Sequence, residues 1–288
     1  MRLVATTDLH FNHPASHRLA EDVIAQINRA GGDVLLLAGD TAVADGKYLE
    51  QCLSQFRFAG PKLFLCGNHE LWTARDDSYD IFTRELPKRV EEMGWQWLET
   101  EPLVTPTVSI VGTMGWYDYS FASPLLNIPR RFYEAKMSPG AAQYFGRTDL
   151  FDHHPDDVPE QAKSVMARWN DAKHVKLHRT DEQFLHELLT RLEAHLAAVA
   201  ASPKVVVATH LLPFRELLPP SHSLQWEFTK AYLGSERLGQ VILRHQNVTH
   251  AICGHSHMAA EAAVAHVKAI NIGSTYKWKT FRTIEVGD

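Results

Sequence analysis

The sequence predicts an α/β fold, and three observations carry that prediction. Apolar runs alternate with amphipathic segments in the order strand, helix, strand, helix, strand up to Leu65. Several runs are apolar throughout, as in strands covered on both faces. Later runs towards the C-terminus suggest a second sheet packed on the first.

Leu3-Val4-Ala5 reads as the first strand, and Asp8-Leu9-His10 follows it. Ser16 to Ala30 reads as an amphipathic helix, with Leu19, Ala20, Val23, Ile24 and Ile27 at helical spacing and Gly31-Gly32 at its end. Val34 to Leu37 is a buried strand ending at Gly39-Asp40. Tyr48, Leu49, Cys52, Leu53 and Phe56 mark the next helix, and Lys62 to Leu65 the third strand, which opens into Cys66-Gly67-Asn68-His69-Glu70. A further helix is expected over Asp80–Met93 despite Pro87, and a strand over Ser109–Gly112. An insertion or lid, with little periodicity at first, is expected around 116–180. Within and after it, Val158–Asn170 and Asp181–Ala201 look helical. Lys204 to Ala208 is a β-branched strand ending at Thr209-His210, and Gly234 to Gln246 reads as a helix. Thr249 to Cys253 is a strand followed by Gly254-His255-Ser256-His257, and Val264–Ile272 and Phe281–Val286 close the chain as strands. With neither a linker nor an internal repeat in sight, a single domain over 1–288 is expected.

Composition excludes little and bounds much. The chain has 288 residues, 45% hydrophobic and 22% charged, enough to bury a core without disulfides. A formal net charge of -5 offers no global basic field for long nucleic acid, although short nucleic acid stays open as a partner. Cys52, Cys66 and Cys253 are odd in number and form no CxxC pair, so they read as small buried thiols. Neither a signal peptide nor a membrane-length apolar run is found, so a cytoplasmic setting without membrane contact is expected. Among 17 histidines, His153-His154 reads as a solvated loop, and His174, His178, His186 and His195 as plain surface residues.

Five other histidines stand at strand exits, together with two aspartates and an asparagine. Asp8 and His10, Asp40, Asn68 and His69, His210, and His255 and His257 each follow an apolar run. In open α/β sheets the carboxyl edge is where ligands bind, so residues distant in sequence can converge there. Carboxylate, imidazole and amide oxygen suit manganese, iron or zinc, and the lack of thiolates argues against a closed structural zinc site.

With these blocks in view, the sequence resembles the calcineurin-like metallophosphoesterases, whose pattern is D-x-H, G-D, G-N-H-[DE], an isolated H, and G-H-x-H. It stands here as Asp8-Leu9-His10, Gly39-Asp40, Gly67-Asn68-His69-Glu70, His210 and Gly254-His255-Ser256-His257. The resemblance implies a four-layer sandwich of two mixed β-sheets flanked by helices. It implies two divalent metal ions, manganese or iron, with zinc as a further candidate. Asp8, His10 and His257 would hold the first ion, Asn68, His210 and His255 the second, and Asp40 both. His69 would donate a proton to the leaving oxygen without binding metal.

Departures from the subfamilies narrow the substrate. Protein Ser/Thr phosphatases carry an Arg before G-N-H-E and another in G-D-x-V-D-R-G; here Cys66 stands before Gly67, and Thr41-Ala42-Val43 follows Asp40. Those phosphatases also lack the last His of G-H-x-H, present here as His257. Val43 occupies the place of the purple acid phosphatases' Tyr. What is left resembles the bacterial-type phosphodiesterases and nucleases. The expected function is therefore hydrolysis of a small-molecule or nucleotide phosphoester, a diester before a monoester. The alternatives are a non-catalytic scaffold of the same fold, a phosphomonoesterase or a protein phosphatase. Trp116, Tyr117 and Tyr119 either stack on a base or, as preferred, pack beneath the insertion. Arg130, Arg131 and Arg147 either meet a second phosphate or are solvated.

Overall fold

The computed structural model describes residues 1–75, 77–152 and 156–287, so His153-His154 lies outside the described residues. Five strands form one sheet in the order β11-β1-β2-β3-β4: β1 Arg2–Thr6, β2 Val34–Ala38, β3 Lys62–Leu65, β4 Gln96–Trp97 and β11 Phe281–Glu285. Six form the other, in the order β5-β6-β7-β8-β10-β9: β5 Leu103–Val104, β6 Val108–Thr113, β7 Lys204–Thr209, β8 Val248–Cys253, β9 Ala260–Val264 and β10 Val267–Asn271. In the first sheet β1 to β4 run parallel and β11 antiparallel. In the second, β6, β7, β8 and β10 run parallel, with β5 and β9 antiparallel at the edges. Two mixed sheets flanked by helices are what the sequence and its resemblance imply.

The pleat explains the layers. Successive side chains leave a strand on opposite faces. Leu3, Leu36 and Leu63 therefore meet Ile110, Val206 and Ile252 of the facing sheet. Their neighbours Val4, Leu35 and Leu37 turn outward to Val23, Ile24 and Ile27 of the helix His17–Ala30. On the far side the helix Asp181–Ala198 lays Phe184, Leu185 and Leu188 into the same cluster as Val205 and Val207. Thr180 starts that helix with a full capping box with Gln183, which satisfies two otherwise orphaned N–H groups.

Three elements differ from expectation. Val158–Asn170 holds only the short helix Glu160–Lys163. The rest is drawn out to pair with 137–138: Ser138 N–H donates to Ala167 O at 3.0 Å, and Met137 bridges Arg168. Val264–Ile272 is not one strand but the second half of the β9–β10 hairpin, which turns at Ala265 with φ 51. Asp80–Met93 is helical, but it widens into a π turn at Ile81–Glu85 just ahead of Pro87, which has no N–H to offer the preceding turn.

Glu99 is fully buried, accepts the Met114 N–H and has Arg191 at 3.9 Å. Burial pushes its carboxyl up to about 7 against the pull of Arg191. A raised carboxyl supports the fold fully below its unfolded value, 4.5, and that support is lost as pH rises through about 7. Glu99→Gln keeps an acceptor for Met114 and cannot ionise. It is expected to match the parent near pH 4 and to exceed it by on the order of 2–3 kcal/mol at pH 8, read from urea midpoints at the two pH values.

No described helix is long and apolar enough to cross a membrane. All three cysteines are buried and free, and burial raises each thiol above its ordinary value.

Candidate metal centre

The strands that carry the predicted donors, β1, β2, β3, β7 and β8, run parallel within their two sheets, and their carboxyl ends share one rim. The loops beyond them are laced together. Asp8 N–H donates to Gly39 O at 3.0 Å, His10 N–H to Asp40 O at 2.9 Å, and Gly254 N–H to His210 O at 3.1 Å. Asp8, His10, Asp40, His255 and His257 all take positive φ, between 42° and 67°. That conformation costs an L residue about 1–2 kcal/mol, so five together mark a backbone held against its own preference to aim side chains inward.

Two donor groups result. Ligand atoms of Asp8, His10, Asp40 and His257 lie within 4.8 Å of one another, and so do those of Asp40, His210 and His255. Asp40 belongs to both. Its Oδ2 is 3.6 Å from His10 Nε2, and its Oδ1 is 3.2 Å from His210 Nε2. His10 Nε2 and His257 Nε2 face each other at 3.1 Å, and His257 Nε2 is 3.4 Å from Asp8 Oδ1. Backbone carbonyls select the other nitrogen for the proton: Ala38 O lies 2.9 Å from His210 Nδ1, and Tyr232 O lies 3.2 Å from His255 Nε2. A carbonyl only accepts, so in the neutral rings the lone pairs stand on His210 Nε2 and His255 Nδ1.

The residues fit a pair of cations. Asn68 Oδ1 is buried without a hydrogen-bond partner, which is costly unless an ion supplies one, and His210 Nε2 is turned to the Asp40 carboxylate at 3.2 Å. None of the cysteines joins either group. Backbone must also approach closely: a Cβ on Gly67 would lie 2.2 Å from Asp40 Oδ1, and one on Gly254 2.5 Å from Asp8 Oδ2. Only glycine tolerates either place.

Charge agrees with geometry. Burial works against Asp8, yet the His257 hydrogen bond and the nearby imidazoles bring it down to about 2. Asp40 is likewise buried, and His210 and His69 hold it well below the carboxylate range. Burial lowers His10, and with the help of His210 it takes His255 down to about 3. Burial opposes charge on His210 as well, but Asp40 lifts it to about 9. The proton Asp40 draws there marks the place a cation would take. At neutral pH the site thus offers charged carboxylates at Asp8 and Asp40 and neutral imidazoles at His10 and His255, while His210 holds a proton that a cation would displace.

Asn68 and His69 line a pocket of about 290 Å³ together with Asp40, His255 and His257. His69 belongs to neither donor group. Its ring lies stacked on Trp72 at 3.7 Å and edge-on to His10 at 4.4 Å, with Nε2 3.9 Å from Asp40 Oδ2.

Several residues make contacts at the site that were not evident in the sequence. Glu70 is fully buried and accepts the N–H groups of Asp40 at 3.0 Å, Thr41 at 2.5 Å, Ala42 at 3.0 Å and Gly67 at 2.6 Å. It stitches the loop after β2 to the loop after β3. Lys279 donates to Asp8 O at 2.5 Å, and Tyr276 stacks on His10 at 4.5 Å. Arg168, Trp169 and Trp226 form part of the pocket wall.

Other candidates do not join the site. Trp116, Tyr117 and Tyr119 are buried. Trp116 Nε1 donates to Asp181 at 2.7 Å, Tyr117 OH to Asp171 at 3.0 Å and Tyr119 OH to Asp181. They pack into the core rather than lining the donor pocket. Arg130 pairs with Glu182 at 2.5 Å, Arg131 with Asp157 at 2.6 Å and Arg147 with Asp149 at 2.7 Å, and none lines the donor pocket. His178 and His186 are exposed as expected, but His174 and His195 are half-buried. His174 stacks on the far side of the site on Trp72, at 4.8 Å.

Buried Asp and His side chains gathered at the rim of two stacked mixed sheets fit a metal site in an α/β sandwich. The family model described as calcineurin-like phosphoesterase matches residues 1–259, and the chain belongs to that family. Its fold is similar to that of a phosphopantetheinyl hydrolase from Mycobacterium tuberculosis, with TM-score 0.66 at 22% identity over 98% of this chain and 95% of that one. It is also similar to a dimetal phosphatase from Danio rerio, with TM-score 0.54 at 13% identity over 95% and 87% of the two chains. At such identities the likeness concerns the fold alone. No curated protein matches.

Proposed function

We propose that the protein is a dinuclear metal-dependent phosphoester hydrolase that prefers diesters. The observation that carries this reading is Asp40, shared by two buried donor groups. Asp8, His10 and His257 would hold one ion, Asn68, His210 and His255 the other, with Asp40 between them. Manganese or iron suits this mixture of imidazole, carboxylate and amide oxygen, and zinc is the further candidate. Two such ions would supply Lewis-acid activation of water and of the phosphoryl oxygens.

The chain's own side chains do the rest. His69, outside both groups and fixed between His10 and Trp72, donates the proton to the leaving oxygen. The diester preference is supported by the pocket walls. Trp72, Trp169, Trp226 and Leu233 offer apolar surface to an ester substituent, and Arg168 is the one Arg or Lys among the lining residues. A monoester dianion would find little more to balance its extra charge. The region 116–180 serves as the insertion of one catalytic domain and supplies Arg168 and Trp169 to that wall. Three free buried thiols fit a reducing compartment, so a cytoplasmic setting belongs to the same reading.

Turnover of bis-p-nitrophenyl phosphate with added manganese tests the proposal. The diester rate is expected to exceed the rate on p-nitrophenyl phosphate. Dominant monoester turnover would reverse the preference, and no turnover with manganese, iron, cobalt or nickel would favour a binding scaffold. Nucleotides, cyclic nucleotides, dinucleotides, single-stranded DNA and phosphopantetheinyl esters form the panel for the natural substrate, the last prompted by the similar mycobacterial hydrolase.

A further inference from the structure

We propose that Asp171 is a positioning residue of the metal centre: it fixes the Asn68 carboxamide with its oxygen towards the donors and holds Trp72 behind His69. The inference rests on the metal-pair reading above and deepens it.

Asp171 opens the short helix Asp171–His174 of the insertion and is 1% exposed. It makes no ion pair among the described residues, yet both its oxygens are fully engaged. Oδ1 accepts Asn68 Nδ2 at 2.9 Å and Trp72 Nε1 at 2.6 Å. Oδ2 accepts Trp169 Nε1 at 2.7 Å and Tyr117 OH at 3.0 Å. The two ends of a carboxamide are nearly alike in shape and opposite in chemistry. A carboxylate only accepts, so the NH₂ end of Asn68 must face Asp171. Its Oδ1 is then the end left over, and that atom is buried without a partner. Turned over, the amide would set oxygen against oxygen at Asp171 and lose its acceptor for a cation.

The same carboxylate oxygen anchors Trp72, whose ring stacks on His69 at 3.7 Å with 23° between planes. One buried side chain from the insertion thus orients one proposed metal ligand and backs the proposed proton donor. Groups that orient a ligand from behind commonly change metal affinity about 10–100-fold when removed.

The test is calorimetric titration of the chelator-treated full chain with manganese alone, read as affinity for each of two ions. Asn68→Ala identifies the ion that depends on that residue. Asp171→Ala is expected to weaken the same ion about 10–100-fold and leave the other unchanged. Asp171→Asn is expected to fall between, because its remaining oxygen can still accept Asn68 and its NH₂ can donate to the Tyr117 hydroxyl, although it sets donor against donor at Trp169 Nε1. Tyr117→Phe removes a donor from the other oxygen and is expected to change stability without changing either affinity.

Parent-like affinity in Asp171→Ala would overturn the proposal. So would equal weakening of both ions, or the same loss in Tyr117→Phe, since either would mean a merely structural carboxylate. Should Asp171→Ala fail to fold, parent-like affinity in Asp171→Asn decides against it. A parent chain that binds fewer than two ions would instead bring down the metal-pair reading and this inference with it.

Discussion

Asp40→Ala is expected to abolish binding of both ions together, and with it turnover. Asp40 is the one residue common to the two donor groups, facing His10 through Oδ2 at 3.6 Å and His210 through Oδ1 at 3.2 Å. It also accepts the His69 N–H at 2.9 Å, so its loss frees the loop after β3. Removing several kcal/mol of charge stabilisation corresponds to about 10³-fold or more in rate. Metal analysis after dialysis against manganese provides the check. Retention of one ion at parent-like affinity would mean that the groups are independent and that Asp40 does not serve both. Circular dichroism in chelator separates loss of metal from loss of fold.

His69→Ala gives the contrasting result. It is expected to retain both ions and to lose about 10²–10⁴ in rate on esters with poor leaving groups. The loss is expected to be much smaller with p-nitrophenolate, which departs without a proton. This follows from position: His69 stands outside both groups and is wedged between Trp72 and His10. A fall in metal content would make His69 a ligand. An equal loss on good and poor leaving groups would remove its role as acid.

The candidate donors were legible in the sequence as a set because each sits one to four residues beyond an apolar strand, and parallel strands bring such exits to one rim. His210 illustrates this. Nothing near it in sequence marks it as special, yet the run Val205-Val206-Val207 places it beside Asp40. The layer structure was legible for a related reason: the period of two that sends Leu3 inward sends Val4 outward.

What escaped has no local signature. Asp171 lies 103 residues from Asn68 and is one Asp among many in a polar stretch. Its contacts with Asn68 and Trp72 exist only once the helix Asp171–His174 has packed against the rim. Trp169 and Arg168 reach the pocket because 164–170 is extended rather than helical, an outcome decided by hydrogen bonds to Ser138. Trp116, Tyr117 and Tyr119 show the converse. Their aromatic character left base stacking open beside the preferred packing, and the buried Asp171 and Asp181 carboxylates claim their polar ends, in line with packing. Glu70 is intermediate. It stands inside a motif, but its four backbone partners are set by how two loops cross.

Anomalous scattering from crystals of the full chain grown with manganese tests the central claim most directly. Two peaks are expected, both against Asp40, one beside Asp8, His10 and His257 and the other beside Asn68, His210 and His255. A single peak, or peaks away from Asp40, would contradict the account.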